Sequence, residues 1–252
     1  GITGPVVFNV VPNSGPYVET VSLPNVLGTS AVNTIKFNGN GNTVQFDNTS
    51  TNRQLLTLTG TKYVKIDSLK FKTLNATYGW AALITGGAAY DSITRCTFDM
   101  SSITATASAS SSGICFSASA TAATTAGSNG SNCFIGNNLI KGPAGAGGPY
   151  YGVTVCGASD NNVIRNNKLE DFYMYGIYMD DATGTVVSGN DIHRANKTSV
   201  TTFYGIYTTG VTNATQIKGN RIHDGGGTAG GTSRAYHIYL AGDATAGNPV
   251  GV

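Results

Sequence analysis

Apolar and polar positions along this chain recur in two short templates. The first reads apolar, two variable residues, usually Asn, any residue, apolar. It occurs without gaps as Ile93-Thr-Arg-Cys-Thr-Phe98, Ile135-Gly-Asn-Asn-Leu-Ile140, Ile164-Arg-Asn-Asn-Lys-Leu169, Val187-Ser-Gly-Asn-Asp-Ile192 and Ile217-Lys-Gly-Asn-Arg-Ile222. An earlier copy, Ile66-Asp-Ser-Leu-Lys-Phe71, keeps only the apolar positions. The second template follows each copy after a variable gap. It reads Ser112-Gly-Ile-Cys-Phe116, Tyr151-Gly-Val-Thr-Val155, Tyr175-Gly-Ile-Tyr-Met179, Tyr204-Gly-Ile-Tyr-Thr208 and Tyr236-His-Ile-Tyr-Leu240, with Trp80-Ala-Ala-Leu-Ile84 as a degenerate version. Both elements are short, β-branched or aromatic, and alternate with period two, which predicts strands. The same strands in the same order, over and over, predict a solenoid.

The corner of each coil is also legible. Between the apolar ends of the first template sit Asn137-Asn138, Asn166-Asn167, Gly189-Asn190 and Gly219-Asn220. Gly and Asn tolerate positive φ, so a sharp turn is expected there in every coil. Stacked about 4.8 Å apart, Asn138, Asn167, Asn190 and Asn220 are placed to form a ladder of hydrogen-bonded amides. The repeat runs 27 residues from Ile66 to Ile93, then 42, 29, 23 and 30. Stacked strands absorb such drift, because extra residues leave as loops. The largest expansion, about residues 101–131, is nearly all Ser, Ala, Thr and Gly around one strand. It reads as two low-complexity, flexible loops, with O-glycosylation as a second use. A β-sandwich is the competing fold, but sandwiches do not repeat the same residues coil after coil.

Composition narrows the class further. The chain has 34 Gly, 11% charged residues, 40% hydrophobic residues and a net charge of +2. That mixture favours strands and turns over helices, and still supplies a core. It argues against nucleic acid, which needs clustered Lys and Arg. No apolar run is long enough for a membrane span. The start at Gly1 reads as a mature product whose targeting segment has been removed. Cys96, Cys115, Cys133 and Cys156 allow disulfides in three connectivities and match no zinc motif. Cys96 stands in the Asn ladder position, where a buried free thiol and a bridge are both open.

The Asn-centred hexapeptides and the Tyr-Gly-Ile-Tyr strands, from about residue 60 to 240, resemble the repeat of pectate-lyase-like right-handed β-helices. The segments Gly4 to Pro12, Tyr17 to Pro24 and Ala31 to Phe37 are similar to the opening of β-helix regions in secreted or surface proteins of Bacteroidota. The resemblance implies an all-β, right-handed parallel β-helix of roughly seven to nine coils. It spans residues 1–252 as one domain, exported, and is either whole or a piece of a longer chain. It does not identify a reaction, because the fold hosts lyases, hydrolases, adhesins and fibres. The family's full calcium-plus-arginine set has no counterpart here.

Three groups of residues are candidates for chemistry. Lys72, Asp99, Lys141, Glu170, His193 and His223 fall at one register position, with Asp171, Arg194 and Asp224 beside them. Glu170, His193 and His223 could serve as a general acid/base set or a metal site. Mixed charges that pair across coils are the structural alternative, and no resident metal is expected. Asp180-Asp181, at a strand exit, could bind calcium or act in glycoside hydrolysis, or simply form a solvated turn. Tyr178, Tyr207 and Tyr239 are expected to face out with Thr154, Gly152, Gly176 and Gly205, as a flat aromatic strip for sugar rings or beneath a loop. Tyr151, Tyr175, Tyr204 and Tyr236 are assigned to the core side or a corner. The expected function is an extracellular structural or adhesive module that binds polysaccharide or cell-surface components. A polysaccharide lyase or hydrolase is the alternative. Nothing after Leu240 reads as an amphipathic cap, so further domains or end-to-end self-association are expected at that edge.

Overall fold

A computed structural model describes residues 1–199, 201–210, 214–228 and 233–241. They form a right-handed parallel β-helix with three sheets of eight strands, one strand per sheet in each of eight coils. Sheet A runs from Val6–Asn9 to Gln216–Lys218, sheet B from Tyr17–Val18 to Arg221–His223, and sheet C from Val21–Pro24 to Ala235–Leu240. All pairings are parallel, and consecutive coils pair in sequence order.

The apolar ends of the first template stack into two columns inside the solenoid. Ile66, Ile93, Ile135, Ile164, Val187 and Ile217 align in sheet A. Phe71, Phe98, Ile140, Leu169, Ile192 and Ile222 align in sheet B. Phe71 and Phe98 stack with ring centroids 5.1 Å apart. Repetition drives the packing: each coil buries its apolar face against near-identical neighbours.

The corner between sheets A and B is left-handed in successive coils. Ser68, Arg95, Asn137 and Asn166 have φ between 52° and 58°, and Gly189 and Gly219 have 66° and 62°. The next residue points inward; it is an amide at Asn42 and again in four consecutive coils, where the side chains bond one another. Asn138 Nδ2 donates to Asn167 Oδ1 at 3.0 Å, Asn167 Nδ2 to Asn190 Oδ1 at 3.0 Å, and Asn190 Nδ2 to Asn220 Oδ1 at 2.9 Å. Each of these Nδ2 groups also donates to a sheet A carbonyl, and each Oδ1 also accepts a backbone N–H. Leu69 and Cys96 occupy the same column in the two preceding coils.

The expansion at 101–131 is not a free loop. Residues 117–127 fold back over sheet C. Gln54 Nε2 donates to Ala120 O at 2.7 Å, Arg53 Nη1 to Thr121 O at 3.0 Å, and Thr154 Oγ1 to Ala123 O at 2.8 Å. Gly130–Ser131 adds a two-residue strand paired with Ala88–Ala89. The segment beyond Ala241, on which the expectation of an uncapped C-terminal edge rests, lies outside the described residues.

Candidate functional site

The outer face of sheet C holds the largest collection of aromatic side chains. A shared irregularity sets which residues reach it. From one coil to the next the ladder passes over one residue: Leu55, Ala81, Gly113, Gly152, Gly176, Gly205 and His237. Two consecutive residues therefore face inward, as Leu55 with Leu56 and Ala81 with Ala82 show. This is a stacked β-bulge, and it reverses the alternation on either side. A Cβ on Gly176 would lie 2.5 Å from Ile192 Cγ2 and 2.5 Å from Gly205 O, so only glycine fits there.

The bulge corrects the period-two assignment. Gly152, Gly176 and Gly205 face the core, not the outside. Tyr151, Tyr175, Tyr204 and Tyr236 are not core residues; they share the outer face with Tyr178, Tyr207 and Tyr239. The strip is a double column. Its second column stacks Tyr178 on Tyr207 at 5.2 Å and Tyr207 on Tyr239 at 5.4 Å. The first stacks Tyr151 on Tyr175 at 5.3 Å, Tyr175 on Tyr204 at 4.8 Å and Tyr204 on Tyr236 at 5.1 Å.

Rings of the two columns meet edge-on, at 84° for Tyr175 and Tyr178 and 82° for Tyr204 and Tyr207. Ring faces are therefore spent on one another, and ring edges and hydroxyls point outward. This is not the flat platform of open faces expected from the sequence. Burial pushes the Tyr175 phenol up to about 12 and raises Tyr178 as well, so both stay protonated donors at ordinary pH.

The same face is covered in the earlier coils. Trp80, Leu83, Cys115 and Ala123 pack there as a small second core that Tyr151 completes. Trp80, Cys115 and Thr154 are 0% exposed, Tyr151 is 8% exposed and Tyr239 is 37% exposed. The strip thus emerges from beneath the 117–127 loop and opens toward the last coil. Low-complexity composition gave no signal for this cover.

Asp180 closes the strip's edge, one residue past Met179, with Cys156 and Thr209 as its register partners. Burial first, and then Asp181, raise its carboxyl above the usual range. Oδ1 of Asp180 and Oδ1 of Asp181 lie 2.6 and 2.4 Å from where a Gly210 Cβ would stand. Both carboxylates therefore overhang the glycine of the next coil.

The charged column lies on the outer face of sheet B. Lys72, Asp99, Lys141, Glu170, His193 and His223 follow one another in register. Among the described residues, no ion pair joins Lys72, Asp99 and Lys141; the close pairs involve Glu170, the histidines and the neighbouring column instead. His193 Nε2 lies 3.7 Å from Glu170 Oε1, and His223 Nε2 lies 2.8 Å from Asp191 Oδ1. Burial holds the His193 imidazole below the usual histidine range. Asp171 and Arg194 do not flank this surface. Asp171 is buried and accepts from Asn196 N and Nδ2, at 3.0 and 2.9 Å. Arg194 is buried, bonds the carbonyls of Gly225, Tyr173 and Thr201, and lies over the Phe203 ring. Asp191 was missed from sequence, although its place two residues before His193 puts both on one face of a strand.

All four cysteines are free and buried, so none of the three disulfide connectivities is formed. Burial pushes the Cys96, Cys115 and Cys133 thiols up to about 12, which makes them packing groups rather than nucleophiles.

Residues 80–248 match the family model of the right-handed beta helix region, and the chain belongs to that family. No curated protein matches. No solved structure matches. Among the described residues, no helix is long and apolar enough to cross a membrane.

Proposed function

We propose that this chain is an exported, non-catalytic β-helix module that binds an extended polysaccharide along the open half of sheet C. The observation that carries the reading is the partly exposed double column of tyrosines from Tyr175 to Tyr239, which offers the same pair of ring edges and hydroxyls in each successive coil. A surface that repeats along one axis suits a ligand that repeats as well. Phenol groups present an apolar body with a polar tip, which matches the mixed C–H and hydroxyl surface of a sugar. The likeness of the repeat to pectate-lyase-like proteins, and of its N-terminal part to surface proteins of Bacteroidota, supports the same reading of location and ligand class.

A second reading, glycoside hydrolysis, rests on Asp180 and Asp181. Their carboxylates converge beside the strip, and the raised Asp180 carboxyl suits a proton donor. They leave the same turn side by side, however, whereas the acid and its partner in that chemistry stand on opposite sides of the scissile bond. The binding reading is therefore preferred.

A glycan array run with a lyase and reducing-end screen separates the two. Binding without turnover, lost in the Tyr178→Ala/Tyr207→Ala/Tyr239→Ala variant, is the expected result. Turnover that disappears in Asp180→Asn would replace the binding reading with the hydrolase.

A further inference from the structure

The outer face of sheet B carries a second candidate site, independent of the tyrosine strip. Asp191, His193 and His223 bring one carboxylate oxygen and two imidazole nitrogens within 4.8 Å of one another. The two rings lie one above the other, with centroids 4.7 Å apart and planes 21° apart. Glu170 Oε1 stands 3.7 Å from His193 Nε2, and Lys168 pairs with the same oxygen.

Two features of the histidines suit a bound ion. His193 has a side chain only 10% exposed, yet among the described residues its buried Nδ1 has no hydrogen-bond partner. A buried polar group left unmade costs about 1–3 kcal/mol, and such an orphan calls for an ion or a water. His223 meets a carboxylate on each side: Nδ1 lies 2.6 Å from Asp224 Oδ2, and Nε2 lies 2.8 Å from Asp191 Oδ1. A neutral imidazole has one N–H and can satisfy only one of them. If that proton sits toward Asp224, the Nε2 lone pair faces Asp191, and either a second proton or a metal ion completes the contact, with Arg221 Nη1 3.7 Å from the same Asp191 oxygen. The carboxylate–histidine pair of Asp224 and His223 is the arrangement that orients metal-binding imidazoles.

We propose that Asp191, His193 and His223 form a binding site for a divalent transition metal, zinc being the best match, with Asp224 as the orienting partner of His223. Two imidazoles and one carboxylate suit zinc and its neighbours rather than calcium or magnesium, which take oxygen ligands. Ligands about 2.0–2.1 Å from a tetrahedral zinc lie roughly 3.3 Å from each other, so the site closes by a shift on the order of 1 Å. His223 and Asp191 are only partly buried and have room to rotate. Water fills the fourth place, because Glu170 lies outside the cluster and is held by Lys168. The metal would tie coils 7 and 8 of the solenoid together.

The test is zinc titration of the untagged chain by calorimetry, without any glycan. Cobalt in place of zinc reports coordination by its visible absorption. One site per chain is expected, with His237→Ala unchanged. His193→Ala/His223→Ala should weaken binding at least about 100-fold, and Asp224→Asn about 10–100-fold. Melting of the metal-free proteins checks the fold. If the double variant does not fold, Asp191→Asn and Asp224→Asn carry the test. No saturable binding to the parent, or unchanged affinity in the double variant or in both Asp variants, overturns the proposal.

Discussion

The two halves of sheet C share a backbone and differ in almost everything placed on it. Both carry the stacked bulge, and both direct two residues per coil outward, such as Trp80 with Leu83 and Tyr204 with Tyr207. In the earlier coils the 117–127 loop turns that outer face into a second interior, with Trp80 and Cys115 fully buried. In the later coils the described residues leave the face partly exposed and filled with tyrosines. The inside changes too: after Asn42 the column holds Leu69 and Cys96 beneath the covered coils, and then the continuous run Asn138, Asn167, Asn190 and Asn220. One solenoid thus tolerates an apolar, covered half and a polar-laddered, open half. Register sets the scaffold, and side chains set what each stretch does.

The contrast in cover gives the largest expected effect. Trp80→Ala should cost about 4 kcal/mol, as for a large aromatic emptied from a core. Tyr207→Ala, on the open half, should cost only about 1 kcal/mol, the scale of a lost aromatic pair. Urea midpoints of the two variants check this. Equal losses would mean that the loop does not form a second core.

Next in size is the amide ladder. Asn167 accepts two hydrogen bonds from Asn138, and its Nδ2 donates to Asn190 and to the Ile135 carbonyl. Asn167→Leu leaves those buried partners unmade, at about 3 kcal/mol in all. A variant melting like the parent would show that the ladder contributes nothing beyond packing.

A smaller, pH-dependent difference separates the halves at the start of sheet A. Asp91 Oδ1 accepts the Val64 N–H at 2.8 Å, and Asn162 Oδ1 accepts the Cys133 N–H at 2.9 Å in the same position one coil pair later. Burial pushes the Asp91 carboxyl up to about 6. The folded chain therefore holds this proton where the unfolded chain has lost it. Stability from this group is fully present below about pH 4 and is lost as pH rises to about 6. Asp91→Asn should remove that loss, a gain of at most about 3 kcal/mol at pH 7 and little at pH 4. Urea unfolding of both proteins at several pH values gives the difference directly. A constant difference across pH 4–7 would show that the Asp91 carboxyl is not raised by its burial.

The sequence reading found what repetition writes plainly. The strands, the left-handed corner and the inward Asn follow from hexapeptides whose internal pattern is constant although the distance between them varies. Its failures have separate causes. Strict period two was carried through the Tyr-Gly-Ile-Tyr strands, and a single bulge at Gly176 shifts the first tyrosine to the other face. Nothing in Ser, Ala, Thr and Gly runs marks the 117–127 loop as a cover, because its contacts are mostly backbone carbonyls. Asp191 escaped because the charged column was read one residue wide, whereas the outer face of a strand includes position i−2.

The smallest effect tests whether the border between the halves is fixed. Cys96 is the last column residue before the ladder begins, and its backbone N–H already donates to Asn138 Oδ1 at 2.9 Å. An amide at this position can repeat the pattern of the coils that follow. Its Nδ2 would reach Asn138 Oδ1 and the Ile66 carbonyl, which the Cys96 thiol already approaches at 3.9 Å. Its oxygen would accept the Leu69 N–H, by the same offset that joins Cys96 to Asn138. The added side chain is larger than the thiol and enters a packed interior, which works against the gain. The two terms should nearly cancel, so Cys96→Asn is expected to change stability by less than about 1 kcal/mol, against about 3 for Asn167→Leu. Cys96→Asp, with the same shape but no donor, should be far worse, because it buries a carboxylate against carbonyl oxygen. Thermal melts of the three variants decide the matter. If Cys96→Asn falls as far as Cys96→Asp, the ladder cannot be extended into the covered half, and the border is set by packing rather than by which residue stands in the column.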